Sequence, residues 1–471
     1  MHLLRRSLLL TLAFPVALSA QRGAPAPKRP IDWPALEREG LTLLRDYLRV
    51  NTANPPGNEL EAARLLRDFL ARQGIAAQLL DTAELGAGRA NLYARIKGSG
   101  SKRAIALVHH MDVVPATAAT WSVPPFSGTL RDGYVYGRGA LDMKSEGIAH
   151  IMALVALKRG GVPLTRDLVI IANADEELGS TGAVTFVDRH ADLLRDVEFL
   201  FTEGGSNSVR NDTLRFRGVG ISEKRTFWQR LTVRGTPSHA SRPTKDNPVA
   251  RLVAALDRLA RYETPLHVLP GVDRYFRDIS RAYPGEHGRW LENVSKALED
   301  PRAREWILSD LYWNAILRNT ISLTGLQGSN KTNVIPPVAT ADVDIRLLPD
   351  QDPDSVLATL RAVIADTTVE LTTLITPKAP FQSETNTDFF RAVERASREH
   401  DPGAFVTTTM MTGATDRPMY RRLGFQVYGL DLFRTNDVDY LRGVHGNDER
   451  ISIAGFLSGI HLLYDVLRYV Q

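Results

Sequence analysis

Short apolar runs alternate with amphipathic stretches over the first half of the chain. The runs Ala104–Val108, Leu168–Ala172 and Val197–Phe201 are almost entirely apolar, as strands buried on both faces of a sheet are. Between them, Glu146–Lys158 and Gly182–His190 carry apolar residues at helical spacing. This alternation predicts an α/β fold in which a mostly parallel sheet is flanked by helices.

The pattern changes near Ser222. Phe227–Arg234 and Ala341–Leu347 alternate apolar with polar residues, which is typical of strands with one face in water. Val249–Tyr262 and Pro353–Ala365 have the periodicity of helices. Two such strand-and-helix units predict a separate α+β domain that is inserted into the first one.

These changes of pattern give the expected domain boundaries. The first part of the main domain covers residues 32–221, the inserted domain covers 222–372, and the second part of the main domain covers 373–471. Within the insert, residues 266–313 are charged and mixed in character, and we expect them to form extra helices.

The first twenty residues have the order of a secretory signal peptide. Met1–Arg6 is short and basic, Leu8–Ala17 is largely apolar but too short to span a bilayer, and mostly small residues precede Gln21. A buried N-terminal helix is the alternative interpretation. We expect cleavage after Ala20 or one residue earlier, a flexible leader over residues 21–31, and an exported protein of the periplasm or extracellular medium without stable membrane insertion.

Composition narrows the chemistry further. The chain has 58 Lys and Arg against 54 Asp and Glu, and no basic block that would predict a nucleic-acid partner. It contains no cysteine, which excludes disulfides, thiolate metal sites and cysteine nucleophiles. Any metal must therefore be held by His, Asp or Glu.

Acidic and histidine residues follow directly on the three apolar runs. His110 follows the first run, Glu176 and Glu177 the second, and Glu203 the third, while Asp142 lies in a glycine-rich turn before a helix. In open α/β sheets, ligands bind outside the carboxyl ends of the strands, so these side chains should share one rim. So many carboxylates would raise one another's pKa values unless cations neutralised them.

Two divalent cations would neutralise such a cluster. Imidazole and carboxylate ligands without thiolate suit zinc in a catalytic site, and cobalt and manganese are chemically compatible. A pair of such ions can polarise a carbonyl and activate water near neutral pH. The adjacent Glu176 and Glu177 cannot share one role, because one must point at a metal and the other at the substrate.

Five motifs resemble those of one family, the co-catalytic dinuclear zinc amidohydrolases. This family includes glutamate carboxypeptidase, aminoacylase, carboxypeptidase S, acetylornithine deacetylase and succinyl-diaminopimelate desuccinylase. The matching stretches, in the family's order, are Val108–Pro115, Trp121–Gly128 with Tyr136–Lys144, Ala174–Gly179, Glu203–Gly205 and His445–Arg450. The resemblance implies a zinc-exopeptidase-like domain, an inserted ferredoxin-like lid or dimerisation domain, and two Zn²⁺ per subunit.

The resemblance also implies which residues bind the two ions. Asp142 would bridge both of them. His110 and Glu203 would complete the coordination of one ion, and Glu177 and His445 that of the other.

Two further residues of these motifs would act next to the metal ligands. The resemblance makes Glu176 the general base, which takes a proton from the attacking water and passes it to the leaving amine. It makes Asp112 the partner that orients the imidazole of His110. It also implies a cis peptide bond after Asp142.

The inserted domain resembles the family's lid. Gly235–Pro243 matches a segment whose histidine, here His239, stabilises the transition-state oxyanion, commonly across a homodimer. Three further residues match positions near the substrate in the family: Asn333, Arg346 and Arg417. The long segment 266–313 resembles the carboxypeptidase S-like branch and could alter dimerisation through the lid.

We therefore expect a hydrolase that cleaves an amide or peptide bond next to a free carboxylate, either a carboxypeptidase or an N-acyl-amino-acid amidohydrolase acting on small substrates. The planar guanidinium of Arg346 would match a carboxylate bidentately. An aminopeptidase or dipeptidase with the same metal centre is one alternative, and it would need an acid to hold the substrate ammonium. A catalytically silent binding protein of the same fold is another, against which the intact Glu176 and metal ligands argue.

Overall fold

The computed structural model describes residues 30–210, 213–435 and 443–471. The predicted signal peptide and most of the predicted leader lie outside these residues. The strands of the described residues are, in chain order, β1 Ala77–Leu80, β2 Asn91–Ile96, β3 Ala104–His110, β4 Thr129–Arg131, β5 Tyr134–Tyr136, β6 Leu168–Asn173, β7 Val197–Thr202, β8 Ser206–Arg210, β9 Thr213–Glu223, β10 Arg225–Thr226, β11 Gln229–Arg234, β12 Ser238–His239, β13 Thr320–Gln327, β14 Val334–Ile335, β15 Val338–Leu347, β16 Glu370–Thr373, β17 Phe405–Met411, β18 Gln426–Leu430 and β19 Arg450–Ser452.

The α-helices of the same residues lie between and after these strands. They are α1 Trp33–Arg49, α2 Glu59–Arg72, α3 Lys144–Arg159, α4 Thr181–His190, α5 Pro248–Arg261, α6 Pro270–Ile279, α7 Gly285–Glu292, α8 Val294–Ala297, α9 Pro301–Ser309, α10 Leu311–Ile316, α11 Pro353–Ile364, α12 Asp388–His400, α13 Arg417–Arg421 and α14 Ile453–Tyr469. None of them is both long enough and apolar enough to cross a membrane.

The main sheet has nine strands within the described residues, in the order β1-β2-β6-β3-β7-β18-β9-β17, with β8 paired to β9. Its centre, β6-β3-β7-β18, is parallel, while β1 and β2 are antiparallel additions at one edge. Alternate residues of β3 point to opposite faces. Ile105 and Leu107 join the core beneath α1, α3 and α14, and Ala106 and Val108 join the core beneath α4. The prediction of a mostly parallel sheet buried on both faces is confirmed.

The inserted domain has its own antiparallel sheet, β10-β15-β11-β16 with β13 paired to β15. The inner residues of this sheet pack with α5 and α11 in a separate core cluster. The predicted strand Phe227–Arg234 is wrong at its first two residues, because the chain leaves the sheet between β10 and β11. The domain boundaries 222 and 372 stay predictions.

The segment 266–313 contains helices α6 to α9 and the start of α10. The apolar residues of these helices build one core cluster with Phe216 of β9 and Met410 of β17. The segment therefore packs on the β17 edge of the main sheet, although in sequence it lies within the inserted domain. The sequence patterns did not predict β9 or β17.

Candidate metal centre

The strand ends place the predicted ligands at one rim of the main sheet. His110 is the last residue of β3, Glu203 follows β7 directly, and Glu176 and Glu177 follow β6 within a few residues. Asp142 precedes α3, and its peptide bond to the next residue is cis, as the resemblance implied.

The two histidines approach opposite oxygens of one carboxylate. His110 Nε2 lies 3.0 Å from Asp142 Oδ1, and His445 Nε2 lies 3.2 Å from Asp142 Oδ2. Glu203 Oε1 is 4.0 Å from His110 Nε2, and Glu177 Oε2 is 3.2 Å from His445 Nε2. The arrangement has two halves with Asp142 between them, which is the geometry that a carboxylate bridging two ions requires.

The donor set fits divalent cations. The ligand atoms of His110, Asp142 and Glu177 lie within 4.8 Å of one another, and so do those of His110, Glu176 and Glu203. Glu177 Oε1 is buried without a hydrogen-bond partner among the described residues, which leaves a carboxylate oxygen available to an ion. Nitrogen and oxygen donors of this kind are the ligands of catalytic zinc and related metals.

Burial and crowding set the protonation of the cluster. Burial raises the pKa of Glu203 to about 8, and the charge of Asp142 adds to the shift. Burial also raises the pKa of Glu176 well above its ordinary value, and Glu203 contributes to this. Burial would raise the pKa of Asp142 too, but hydrogen bonds with His110 and His445 hold that pKa below its usual range. The raised pKa values of Glu203 and Glu176 are typical of buried acids that lack a positive neighbour, and divalent cations would supply that positive charge.

Asp112 organises the loop that carries the two adjacent glutamates. The backbone N–H groups of Glu176 and Glu177 donate to its carboxylate oxygens over 3.0 and 3.1 Å, and Asn54 Nδ2 donates to it over 2.8 Å. Its own backbone carbonyl lies 2.9 Å from His110 Nδ1. The residue is fully buried and touches both the imidazole and the glutamate loop, so it can fix the orientation of both.

Glu449 anchors the turn before Asp142 and was not singled out from the sequence. One of its oxygens accepts the N–H groups of Leu141 and Asp142 over 2.6 and 3.1 Å, and the other accepts the N–H of Gly139 and Nη1 of Arg138 over 2.9 and 2.7 Å. The signal was available in the sequence, because Glu449 lies in the same C-terminal motif as His445.

Comparison with known proteins agrees with this geometry. Residues 106–469 match the peptidase family M20/M25/M40. This chain belongs to that family. It is a hydrolase of amide or peptide bonds, as expected.

Three known proteins illustrate the likeness. The human N-fatty-acyl-amino acid synthase/hydrolase PM20D1 is 30% identical over 376 residues, covering 77% of this chain and 73% of the relative. Human aminoacylase-1 is 26% identical over 438 residues, covering 91% and 94%. A metallo-carboxypeptidase of the M20 family from Sulfolobus solfataricus shares the fold with a TM-score of 0.71 at 19% identity, covering 92% of this chain and 99% of its own.

Two predicted residues of the inserted domain of this M20/M25/M40 chain, His239 and Asn333, have their described contacts within that domain. His239 is exposed on β12, and its Nδ1 lies 2.8 Å from Ser241 Oγ. Asn333 is its neighbour in space, since the carbonyl of Asn333 accepts the N–H of Ala240. No hydrogen bond or ion pair within the described residues joins His239 or Asn333 to the cluster. Their roles, and a homodimer through the lid, stay predictions.

Two predicted substrate-binding arginines are engaged by neighbouring acids. Arg346 forms a bidentate pair with Asp344, at 2.7 and 3.0 Å. Arg417 is completely buried, and its guanidinium lies 3.2 Å from Glu223 and donates to the carbonyl of Gly220. Arg417 is therefore held by Glu223 and Gly220, and its contact with a substrate stays a prediction.

Proposed function

We propose that this protein hydrolyses N-acyl amino acids at the amide bond next to the free carboxylate. The observation that carries the proposal is the bridging position of Asp142 between two histidines, with Glu176 beside them. The substrate class is supported by the name of the relative at 30% identity, N-fatty-acyl-amino acid synthase/hydrolase. We also propose export by the first twenty residues.

The metal cofactor would be two divalent cations, with zinc as the first candidate. His110 and Glu203 would hold one, Glu177 and His445 would hold the other, and Asp142 would bridge them. When bound, the cations would polarise the amide carbonyl and lower the pKa of the attacking water.

Glu176 is the group that moves the proton. Its carboxylate belongs to the cluster, and its backbone N–H donates to Asp112, which fixes the backbone that carries it. Burial raises its pKa, which brings the carboxylate towards the basicity that proton transfer near neutral pH requires. It accepts a proton from the attacking water and donates it to the leaving nitrogen, and the products are a carboxylic acid and an amino acid.

The first experiment separates the base from the metal ligands. Glu176→Gln should lower kcat by about 10²–10⁴-fold, the usual contribution of a general base, while two metal ions per chain remain bound. The matched change Glu177→Gln should lower the metal content itself. Metal content is measured by plasma mass spectrometry, and turnover with an N-acetyl amino acid. A metal-loaded Glu176→Gln protein with normal turnover would refute the role of Glu176.

The second experiment tests the substrate class. We expect N-acyl amino acids to be cleaved, and their C-terminally amidated counterparts to be cleaved much more slowly because they lack the carboxylate. N-blocked dipeptides are included as carboxypeptidase substrates. Preference for a free N-terminal amine over a free carboxylate would favour an aminopeptidase or dipeptidase.

A further inference from the structure

The guanidinium of Arg89 joins three separate segments of the chain. Arg89 lies just before β2. Its Nη1 donates to Asp175 Oδ1, in the loop after β6, over 2.8 Å and to Glu59 Oε1, at the start of α2, over 3.3 Å. Its Nη2 donates to Asn54 Oδ1 over 2.6 Å and to the carbonyl of Pro56 over 2.8 Å, both in the loop before α2. No hydrogen bond or ion pair among the described residues joins Arg89 to a predicted metal ligand.

The contact with Arg89 fixes the orientation of the Asn54 amide. A guanidinium can only donate hydrogen bonds, so the amide atom that faces Arg89 must be the oxygen. The amide nitrogen then faces two carboxylates, and it donates to Asp112 Oδ2 and to Asp175 Oδ1 over 2.8 Å each. The reversed amide would point its oxygen at both carboxylates and its nitrogen at the guanidinium. Asn54 is only 1% exposed, so water could not compensate for the lost hydrogen bonds.

The carboxylate of Asp112 connects the Asn54 amide to the glutamate loop, residues 174–179. Its Oδ1 accepts the N–H of Glu176 over 3.0 Å, and its Oδ2 accepts the N–H of Glu177 over 3.1 Å. Because Oδ2 also accepts the Asn54 amide, a rotation of the carboxylate away from the loop would break that hydrogen bond. The Asn54 amide therefore supports the contact between Asp112 and the backbone of the proposed general base.

Asp175, the residue before Glu176, contacts Arg89 directly. Its φ is +63°, in the left-handed region that few residues other than glycine adopt. Its Oδ1 accepts from Arg89 and Asn54, and its Oδ2 accepts from Thr181 Oγ1. Its side chain is 10% exposed, and its ion pair is with Arg89. Loss of the guanidinium would leave a nearly buried carboxylate unpaired at the point where the backbone turns towards Glu176.

We propose that Arg89 is a positioning residue for the hydrolysis. Its two Nη groups hold the Asn54 amide and the Asp175 carboxylate, and these two side chains hold the backbone that carries Glu176. The role rests on the proposed function, since Glu176 is the general base there. Because proton transfer depends on where the Glu176 carboxylate lies, Arg89 should affect kcat far more than KM.

The first measurement is turnover of the metal-loaded enzyme with an N-acetyl amino acid. Arg89→Met keeps the length of the side chain but removes both Nη groups, so kcat should fall by about 10–100-fold, with KM nearly unchanged and two metal ions per chain. Arg89→Lys should also lower kcat, because one ammonium cannot replace a fork of two nitrogens. Arg67→Met is the matched control and should keep normal kcat, since Arg67 pairs with its neighbour Asp68 at the surface of α2. Normal kcat in either metal-loaded Arg89 variant would overturn the proposal.

The second measurement separates positioning from a general loss of stability. Backbone amide hydrogen exchange is followed by mass spectrometry in the metal-loaded proteins, over residues 174–179 and, for comparison, over β3. Exchange at residues 174–179 should be faster in both Arg89 variants than in the unmutated protein and in Arg67→Met, while exchange in β3 stays the same. Unchanged exchange at residues 174–179, or an equal acceleration in β3, would overturn the proposal.

The exchange measurement does not depend on turnover. If the unmutated enzyme cleaves no substrate, the proposed function fails, and hydrogen exchange still decides whether Arg89 positions the glutamate loop. If Arg89→Met does not fold, Arg89→Lys, which keeps the positive charge, provides both measurements.

Discussion

Replacing Glu449 by Gln tests whether the turn that presents Asp142 is held by one buried carboxylate. The side chain is completely buried and accepts three backbone N–H groups and the guanidinium of Arg138. An amide has only one accepting oxygen, and its NH₂ group would face two donors. At least two charge-assisted bonds are lost, each worth about 1.5–3 kcal/mol, so the free energy of unfolding should fall by about 3–6 kcal/mol.

The measurement is denaturant unfolding of metal-free protein, so that metal binding does not contribute to the free energy. Asp448→Asn is the matched control, because Asp448 Oδ1 accepts from Ser122 N and Oγ and an asparagine oxygen can do the same. The control should change the free energy by less than about 1 kcal/mol. If Glu449→Gln behaved like the control, the carboxylate would not be what holds the turn, and the explanation given for the position of Asp142 would be wrong.

Two other substitutions probe the supports of the cluster. The asparagine of Asp112→Asn cannot accept both backbone N–H groups of the glutamate loop. Metal affinity should therefore fall by about 10–100-fold, as measured by competition titration with a chelator. Unchanged affinity would contradict the orienting role of Asp112. Gly205→Ala would place Cβ 2.3 Å from the backbone nitrogen of Asp431, so stability should fall by about 1–3 kcal/mol in denaturant unfolding. Gly413→Ala, whose Cβ would meet only the flexible side chain of Met411, is its control, and equal losses in the two variants would refute the steric argument.

The strands that could be predicted are those whose buried residues are apolar and adjacent in sequence. Ala104–Val108 is apolar on both faces because helices cover both faces of β3. β9 carries Arg217, which is buried through a pair with Asp401, and so its sequence does not resemble a core strand. β17 is rich in threonine, and Thr407 and Thr408 are buried because Asp278 and the Gly271 carbonyl on α6 accept their hydroxyl protons. Partners so distant in sequence leave no local pattern.

In the candidate site too, the features that could be predicted are those that a local motif specifies. The ligand types and their places at strand ends follow from motifs, because parallel strands bring their carboxyl ends to one edge. The engagement of Arg346 by Asp344 could not be read from residue types, because a guanidinium suits a substrate carboxylate and a neighbouring aspartate equally well. Asp344 and Arg346 share a face of β15 because they are two residues apart, but that spacing alone does not decide whether the guanidinium binds the aspartate or a ligand.

The two halves of the metal cluster are joined by the C-terminal motif. β19 pairs with β5 so that Arg450 lies opposite Tyr136, and the N–H of Gly137 donates to the carbonyl of Glu449 over 3.0 Å. The same short segment thus carries His445 and clamps the turn that ends at Asp142. Because this clamp ties the segment that carries His445 to the turn that presents Asp142, it supports the 3.2 Å approach of the two side chains. In a site that is preorganised in this way, little of the free energy of metal binding is needed to order the chain.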